Sequence, residues 1–79
     1  MGQTSQALKA YTQAIYLQPR YALTFRNLGA ALEGEKSPEL ATKAYREYCR
    51  LAPAALDVSQ VGQRAAWLES SLPTQTHSR

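Results

Sequence analysis

The chain has 79 residues, a hydrophobic fraction of 44% and a formal net charge of +3, which suits one small folded domain and excludes a chain disordered by composition. No apolar run approaches the ~20 residues of a membrane-spanning helix, and we expect no secretory signal at the N-terminus. The charge excess is too small to predict a nucleic-acid-binding face, and a single cysteine excludes an internal disulfide or a thiolate metal site.

The first predicted helix runs from about Thr4 to Leu17, after a segment from Gly2 to Ser5 that has the composition of a turn. Its apolar residues wrap more than half of the helical cylinder, and they are Ala7, Leu8, Ala10, Tyr11, Ala14, Ile15 and Leu17. So wide a stripe is typical of a helix with neighbours on two sides. Pro19 ends the helix because proline lacks an N–H and restricts the preceding residue to extended geometry.

The second predicted helix runs from about Tyr21 to Glu33. Phe25, Leu28 and Leu32 recur at intervals of three and four residues, which predicts one buried edge. Gly29 lies inside this helix, where glycine costs ~1 kcal/mol relative to alanine. We therefore expect Gly29 to admit the close approach of a neighbouring helix.

The third predicted helix follows a turn over residues 34–37 and ends near Leu51, before Pro53. Ser37 is a suitable N-cap and Pro38 suits the first helical position. The residues predicted to be buried on this helix are Leu40, Ala41, Ala44, Tyr45 and Tyr48.

The fourth predicted helix begins after Asp57, which forms a capping-box pattern with Gln60. Its apolar stripe consists of Val58, Val61, Ala65, Leu68 and Leu72, and its polar face of Gln60, Gln63, Arg64 and Ser70 or Ser71. One apolar stripe backed by a polar face is typical of a helix that closes an array of helices. The polar residues 73–79 are predicted to be a disordered tail.

An internal repeat connects the first and third helices. Residues 7–19 read ALKAYTQAIYLQP and residues 41–53 read ATKAYREYCRLAP, an interval of 34 residues with proline at the end of both copies. The second and third helices also carry an aromatic, Leu-Gly, large, Ala, aromatic and Pro series, formed by Phe25, Leu28, Gly29, Leu32, Ala41, Tyr45 and Pro53. Over residues 2–53 the chain thus resembles the tetratricopeptide repeat (TPR) family.

The resemblance implies an all-α fold of about four helices, arranged as antiparallel hairpins of a right-handed superhelix. Residues 1–72 would form a single domain, with 2–19 as the second helix of a partial repeat, 20–53 as one full repeat and 55–72 as a capping helix. Tyr48 departs from the family pattern, since it stands where a small residue is usual.

The resemblance also implies binding of another protein or peptide in a concave groove lined by the first helix of each hairpin. The residues that would face this groove are Leu23, Arg26, Asn27, Ala30 and Glu33. Arg26 and Asn27 match positions that form a carboxylate clamp in some family members. Ala30 stands where the clamp has an asparagine and basic residues from adjacent repeats are absent, so a surface Arg26 without a ligand stays an alternative.

Two other functions remain open. Leu8, Tyr11 and Ile15 have no preceding helix to cover them in this chain, which favours a module that forms a homodimer through its first helix. RNA binding is a weaker alternative that depends on four arginines, Arg20, Arg26, Arg46 and Arg50. The sequence favours a cytoplasmic location without establishing one.

No catalytic residue, metal ligand set or cofactor site is predicted, so we do not expect an enzyme. His77 lies in the polar tail, and Glu33, Glu35 and Glu39 flank a turn where solvated charge is ordinary. Cys49 is expected to be a partly buried small apolar residue, although nearby arginines would lower its pKa if it were exposed. Trp67 lies off the apolar stripe of the fourth helix, as either a contact residue or a flank residue.

Overall fold

The structure, a computed structural model, describes residues 2–71 and the side chains from Ser5 onward. This part of the chain forms four helices, α1 (Gly2–Leu17), α2 (Ala22–Gly34), α3 (Pro38–Leu51) and α4 (Val58–Ser70), and no strand. The prediction of an all-α fold with about four helices is confirmed. Residues 2–5, predicted as a turn, instead form the first turn of α1. Leu72 and the predicted tail lie outside the described residues.

The helices pack in chain order. α2 packs against both α1 and α3, and α3 packs against both α2 and α4. The molecule measures 40 × 34 × 18 Å, and its smallest dimension is close to two helix diameters of ~10 Å each. The chain therefore folds as a two-layer slab.

The buried core lies among α2, α3 and α4. It consists of Leu32, Ala41, Ala44, Tyr45, Tyr48, Val61, Ala65 and Leu68. From α1, Leu8 packs against this core while remaining half-buried, and Phe25 and Leu28 of α2 are also half-buried. The predicted apolar stripes of α3 and α4 thus account for most of the core.

Leu40 is an exception among the residues predicted to be buried on α3. Its side chain is 52% exposed, so that prediction was wrong. Burial of Leu40 would require a helix against this side of α3, but α1 packs mainly on α2. Ala41, the next residue along, faces the core and is fully buried.

The helices begin and end near the predicted residues, but the predicted side-chain caps do not form hydrogen bonds. Pro38 occupies the first turn of α3, and Ser37 and Asp57 precede α3 and α4 as expected. Neither side chain, however, caps its helix with a hydrogen bond. The turn after α2 is closed instead by the backbone, where Lys36 has a φ of 61° and the amide of Ser37 donates to the carbonyl of Leu32 at 2.9 Å.

Candidate functional site

One side of α2 presents a row of exposed side chains. Leu23, Asn27 and Ala30 are exposed, and Leu23 reaches 40% exposure. They lie at intervals of four and three residues and so share one side of the helix. Of the five residues predicted to face a groove, these three are exposed, and the side chain of Arg26 is 40% exposed.

A cleft of about 300 Å³ lies beside this row, between α2 and α4. Arg26 and Ala30 line it from α2, and Tyr45 lines it from α3. The fourth helix and its N-cap contribute the remaining lining residues, Asp57, Gln60, Val61 and Arg64. We call this space the α2/α4 cleft.

Glu33 of α2 is bound to Arg64 of α4 at one end of the cleft. The Nε of Arg64 donates to Oε1 and Oε2 of Glu33 at 3.1 and 3.0 Å, and a terminal guanidinium nitrogen of Arg64 also contacts Oε1. The buried Tyr45 hydroxyl donates to Oε2 at 2.6 Å. The Glu33 side chain is only 18% exposed, which corrects the expectation that it is a solvated carboxylate available to a ligand.

These contacts shift the pKa values of both acids in opposite directions. The hydrogen bond from Arg64 lowers the pKa of Glu33 below its ordinary 4.5, against an opposing effect of burial. Burial is the main cause that raises the pKa of Tyr45, and the neighbouring Glu33 carboxylate raises it further. Glu33 is therefore held as a carboxylate and Tyr45 as a neutral phenol.

Asp57, at the N-cap of α4, forms a similar contact with Arg26 of α2. Its Oδ2 lies 3.0 Å from the Nε of Arg26, and its Oδ1 accepts a hydrogen bond from the buried Tyr48 hydroxyl. This hydrogen bond is the main cause that raises the pKa of Tyr48. Arg26, predicted as a clamp residue or a surface arginine without a ligand, has an acidic partner within the chain, and neither alternative is tested by this contact.

The two contacts are crossed. In one of them α2 supplies the carboxylate and α4 the arginine; in the other Asp57, at the N-cap of α4, supplies the carboxylate and α2 the arginine. Each carboxylate also accepts from a tyrosine of α3. The positive charge of the cleft is therefore balanced internally, and an anionic ligand would have to compete with Asp57 and Glu33 for the arginines.

Trp67 is exposed next to this cleft. The indole is 55% exposed, and the guanidinium carbon of Arg64 lies 4.6 Å from its ring centroid. Both predicted roles of Trp67 stay predictions, since the indole is exposed and also lies against Arg64 of the preceding helical turn. Tryptophan and arginine are the residue types most enriched among the energetically dominant residues of protein interfaces.

Sequence reasoning missed the contribution of α4 to the site. Gln60 and Arg64 follow Arg26 and Ala30 by the same 34-residue interval that relates the first and third helices. All four residues line the cleft. Extending the interval into the fourth helix would have identified Gln60 and Arg64.

The residues predicted for self-association are only partly covered. Leu8, Tyr11 and Ile15 are half-buried. The neighbouring Tyr16 and Leu17 were not in that set, yet they are 84% and 67% exposed. Much of the accessible apolar surface of α1 therefore lies at its C-terminal end.

The remaining candidate residues, apart from His77, make contacts within the chain. Burial is the main cause that raises the pKa of Cys49, which outweighs the lowering effect of Arg46, and the thiol donates to the carbonyl of Val58 at 3.6 Å. Arg46 pairs with Glu69, and Arg50 with Glu47. His77 lies outside the described residues.

Residues 2–71 contain no group of three or more His, Cys, Asp or Glu side chains arranged to hold a metal ion. None of the helices in that range combines the length and apolar character needed to cross a membrane.

Comparisons of the chain with protein-family models, curated protein sequences and solved structures found no match.

Proposed function

We propose that this chain is a TPR-type module that binds a partner protein or peptide through the face formed by α2 and α4. The 34-residue repeat and the packing of consecutive helices support the right-handed hairpin array implied by the resemblance. In such an array, α2 and α4 are equivalent helices that line one concave surface. The cleft between them and the exposed row on α2 are the surface that a partner would contact.

The observation that carries this proposal is the pairing of Trp67 with Arg64 beside the cleft. Arg64 lines the cleft, is anchored by Glu33 and lies over the exposed indole, so both side chains have a restricted geometry before binding. Restricting the conformation of interface side chains in advance reduces the entropy lost on association. The nearby Leu23, Asn27 and Ala30 add uncharged surface that a partner can cover.

Site-specific photo-crosslinking in the source cells tests the proposal. A photoreactive phenylalanine analogue at Asn27 is expected to yield a discrete adduct with another protein, because this position is exposed on the proposed binding face. The same analogue at Gln13, exposed on α1, is the positional control and should not yield that adduct. Trp67→Ala should abolish the Asn27 adduct, whereas Tyr16→Ala, which also removes an exposed aromatic ring, should not. Adducts that form equally at both positions and survive Trp67→Ala would contradict the proposal.

A second candidate function is self-association through α1. The exposed Tyr16 and Leu17 favour it, together with the incomplete burial of Leu8, Tyr11 and Ile15. Sedimentation at micromolar concentration should then show a dimer that Tyr11→Glu dissociates. A folded monomer under these conditions would exclude this candidate.

RNA binding has less support. Three of the four arginines on which it depends, Arg26, Arg46 and Arg50, form ion pairs with acidic residues of the chain. Binding of phosphates would require these pairs to break. Within residues 2–71, this leaves only Arg20 of the four without an acidic partner.

A further inference from the structure

We propose that a second surface, between α1 and α3, binds an amphipathic helix of a partner protein whose apolar stripe is flanked by acidic residues. This surface is separate from the α2/α4 cleft and does not depend on the function proposed for it. It is a groove of about 520 Å³ with six apolar lining residues, Leu8, Phe25, Leu28, Leu32, Leu40 and Ala44. We call it the outer groove.

Several apolar side chains that line the outer groove are incompletely buried. Leu40 is 52% exposed at its edge, and Leu8, Phe25 and Leu28 are half-buried in its walls and floor. A groove between two helices, with a third helix as its floor, suits a helical ligand that inserts side chains spaced three and four residues apart.

The charges around the groove indicate the chemistry of the ligand. Lys43 lines the groove, and Lys9 lines an adjoining hollow on α1 that shares Leu8 and Thr12 with it. Among the described residues neither lysine forms an ion pair, while Glu47, the one acidic residue of the lining, is held by Arg50. Glu39 lines a hollow on the other side of Leu40 and also forms no ion pair among the described residues. Within the lining itself the unpaired charge is that of Lys43, which is positive, and Lys9 adds a second positive charge on the α1 side.

This charge distribution favours an acidic partner over a second copy of the chain. A two-fold dimer through the outer groove would bring the same two lysines together from each copy. Each copy also carries a formal net charge of +3. Like charges opposed across an interface weaken association, whereas acidic flanks on a ligand would pair with Lys9 and Lys43.

A displayed peptide library tests both parts of the proposal. Each member is a helical peptide of about four turns with leucine or isoleucine fixed along one stripe. The flanking positions sample glutamate, lysine, glutamine and serine. Selection against the full chain is expected to enrich glutamate beside the stripe, and the synthetic form of a selected peptide should bind more weakly as salt concentration rises.

Two double variants separate the groove from general attraction between a basic protein and an acidic peptide. Lys9→Glu with Lys43→Glu reverses the charges of the groove, and Arg20→Glu with Lys36→Glu makes the same change in net charge at exposed sites in the turns. The groove variant should lose more than tenfold in affinity for the selected peptide, and the control variant about twofold or less. A peptide with lysine in place of glutamate should regain affinity for the groove variant.

A pair of leucine variants tests the apolar part. Leu40→Ser should weaken binding of the selected peptide about tenfold, whereas Leu56→Ser, at a fully exposed loop position, should leave it unchanged. Trp67→Ala should also leave it unchanged, because Trp67 lies beside the α2/α4 cleft. Circular dichroism of each variant establishes that it retains the helical fold.

Several results would overturn the proposal. Enrichment of neutral or basic flanks would refute an acidic ligand, and equal losses from the two double variants would refute a site at the outer groove. A concentration-dependent dimer that Leu40→Ser dissociates would show that the groove is occupied by a second copy. Selection of no peptide whose binding depends on Leu40 would refute docking of a helix in this groove.

Discussion

The ring of Tyr45 on α3 occupies the space that a side chain at position 29 of α2 would need. A Cβ built on Gly29 would lie 2.9 Å from Cζ of Tyr45, and two further ring carbons would be closer still. Tyr45 is itself buried and hydrogen-bonded to Glu33, so the ring has little freedom to move away. The close approach of α3 to α2 predicted from a glycine inside a helix is thereby confirmed.

Gly29→Ala is expected to destabilise the fold by about 1–3 kcal/mol, because the new methyl group overlaps a fixed ring. Gly62→Ala is the matched control within α4. A Cβ there would lie 3.9 Å from the sulfur of Cys49, an ordinary contact, so the higher helix propensity of alanine should stabilise the protein by about 0.5–1 kcal/mol. Urea unfolding followed by circular dichroism measures both changes. Equal effects of the two substitutions would contradict the packing argument.

Glu33 should make the free energy of unfolding depend on pH under acidic conditions. Its pKa in the folded state lies below the ordinary 4.5, so the stabilisation is present above that value and is lost as the pH falls through the folded-state pKa. Glu33→Gln should lower the urea midpoint at neutral pH and reduce the loss of stability seen on acidification below 4.5. Glu35→Gln is the control at an exposed position in the following turn. If Glu33→Gln loses as much stability on acidification below pH 4.5 as the unaltered protein does, Glu33 does not have this role.

Asp57 should stabilise the protein through its contact with α2 and not through capping of α4. Serine is a good N-cap residue but has no carboxylate to pair with Arg26. Asp57→Ser should therefore be about as destabilising as Asp57→Ala. A double-mutant cycle with Arg26→Gln and Asp57→Asn should give a coupling free energy of about 0.5–1 kcal/mol for this partly exposed pair. Full recovery of stability in Asp57→Ser would show that capping dominates.

Thr42 offers a stabilising substitution in the core. The residue is 6% exposed, and its hydroxyl oxygen has no hydrogen-bond partner among the described residues. Thr42→Val replaces that hydroxyl by a methyl group of similar shape, which should raise the free energy of unfolding by about 1 kcal/mol. Thr12→Val is the comparison, because the exposed Thr12 hydroxyl donates to the carbonyl of Leu8 at 2.8 Å and gains nothing from removal. A loss of stability in Thr42→Val would contradict this view of the core.

Residue spacing and local sterics were enough to predict the helices and much of their packing. Pro19, Pro38 and Pro53 constrain the backbone through local sterics, so the predicted helix ends between Leu17 and Val58 agree with the observed ends to within about two residues. The apolar stripe of α4 and the close approach of α3 to α2 at Gly29 could also be predicted, because each depends on the spacing of residues along a single helix. Leu23, Asn27 and Ala30 are exposed on one side of α2, as their spacing indicates, and their part in a binding groove stays a prediction.

The pairing of the charged side chains, by contrast, follows from how the helices pack against one another. Arg26, Glu33, Asp57 and Arg64 find partners up to 31 residues away, and these contacts depend on how far one helix is shifted along another. The exposure of Leu40 was decided in the same way, since it depends on which neighbour α1 packs against. Long side chains at a surface have several partners within reach, and the offset and tilt of whole helices select among them. The 34-residue interval places Gln60 and Arg64 on the same face as Arg26 and Ala30, but it does not specify which carboxylate each arginine contacts.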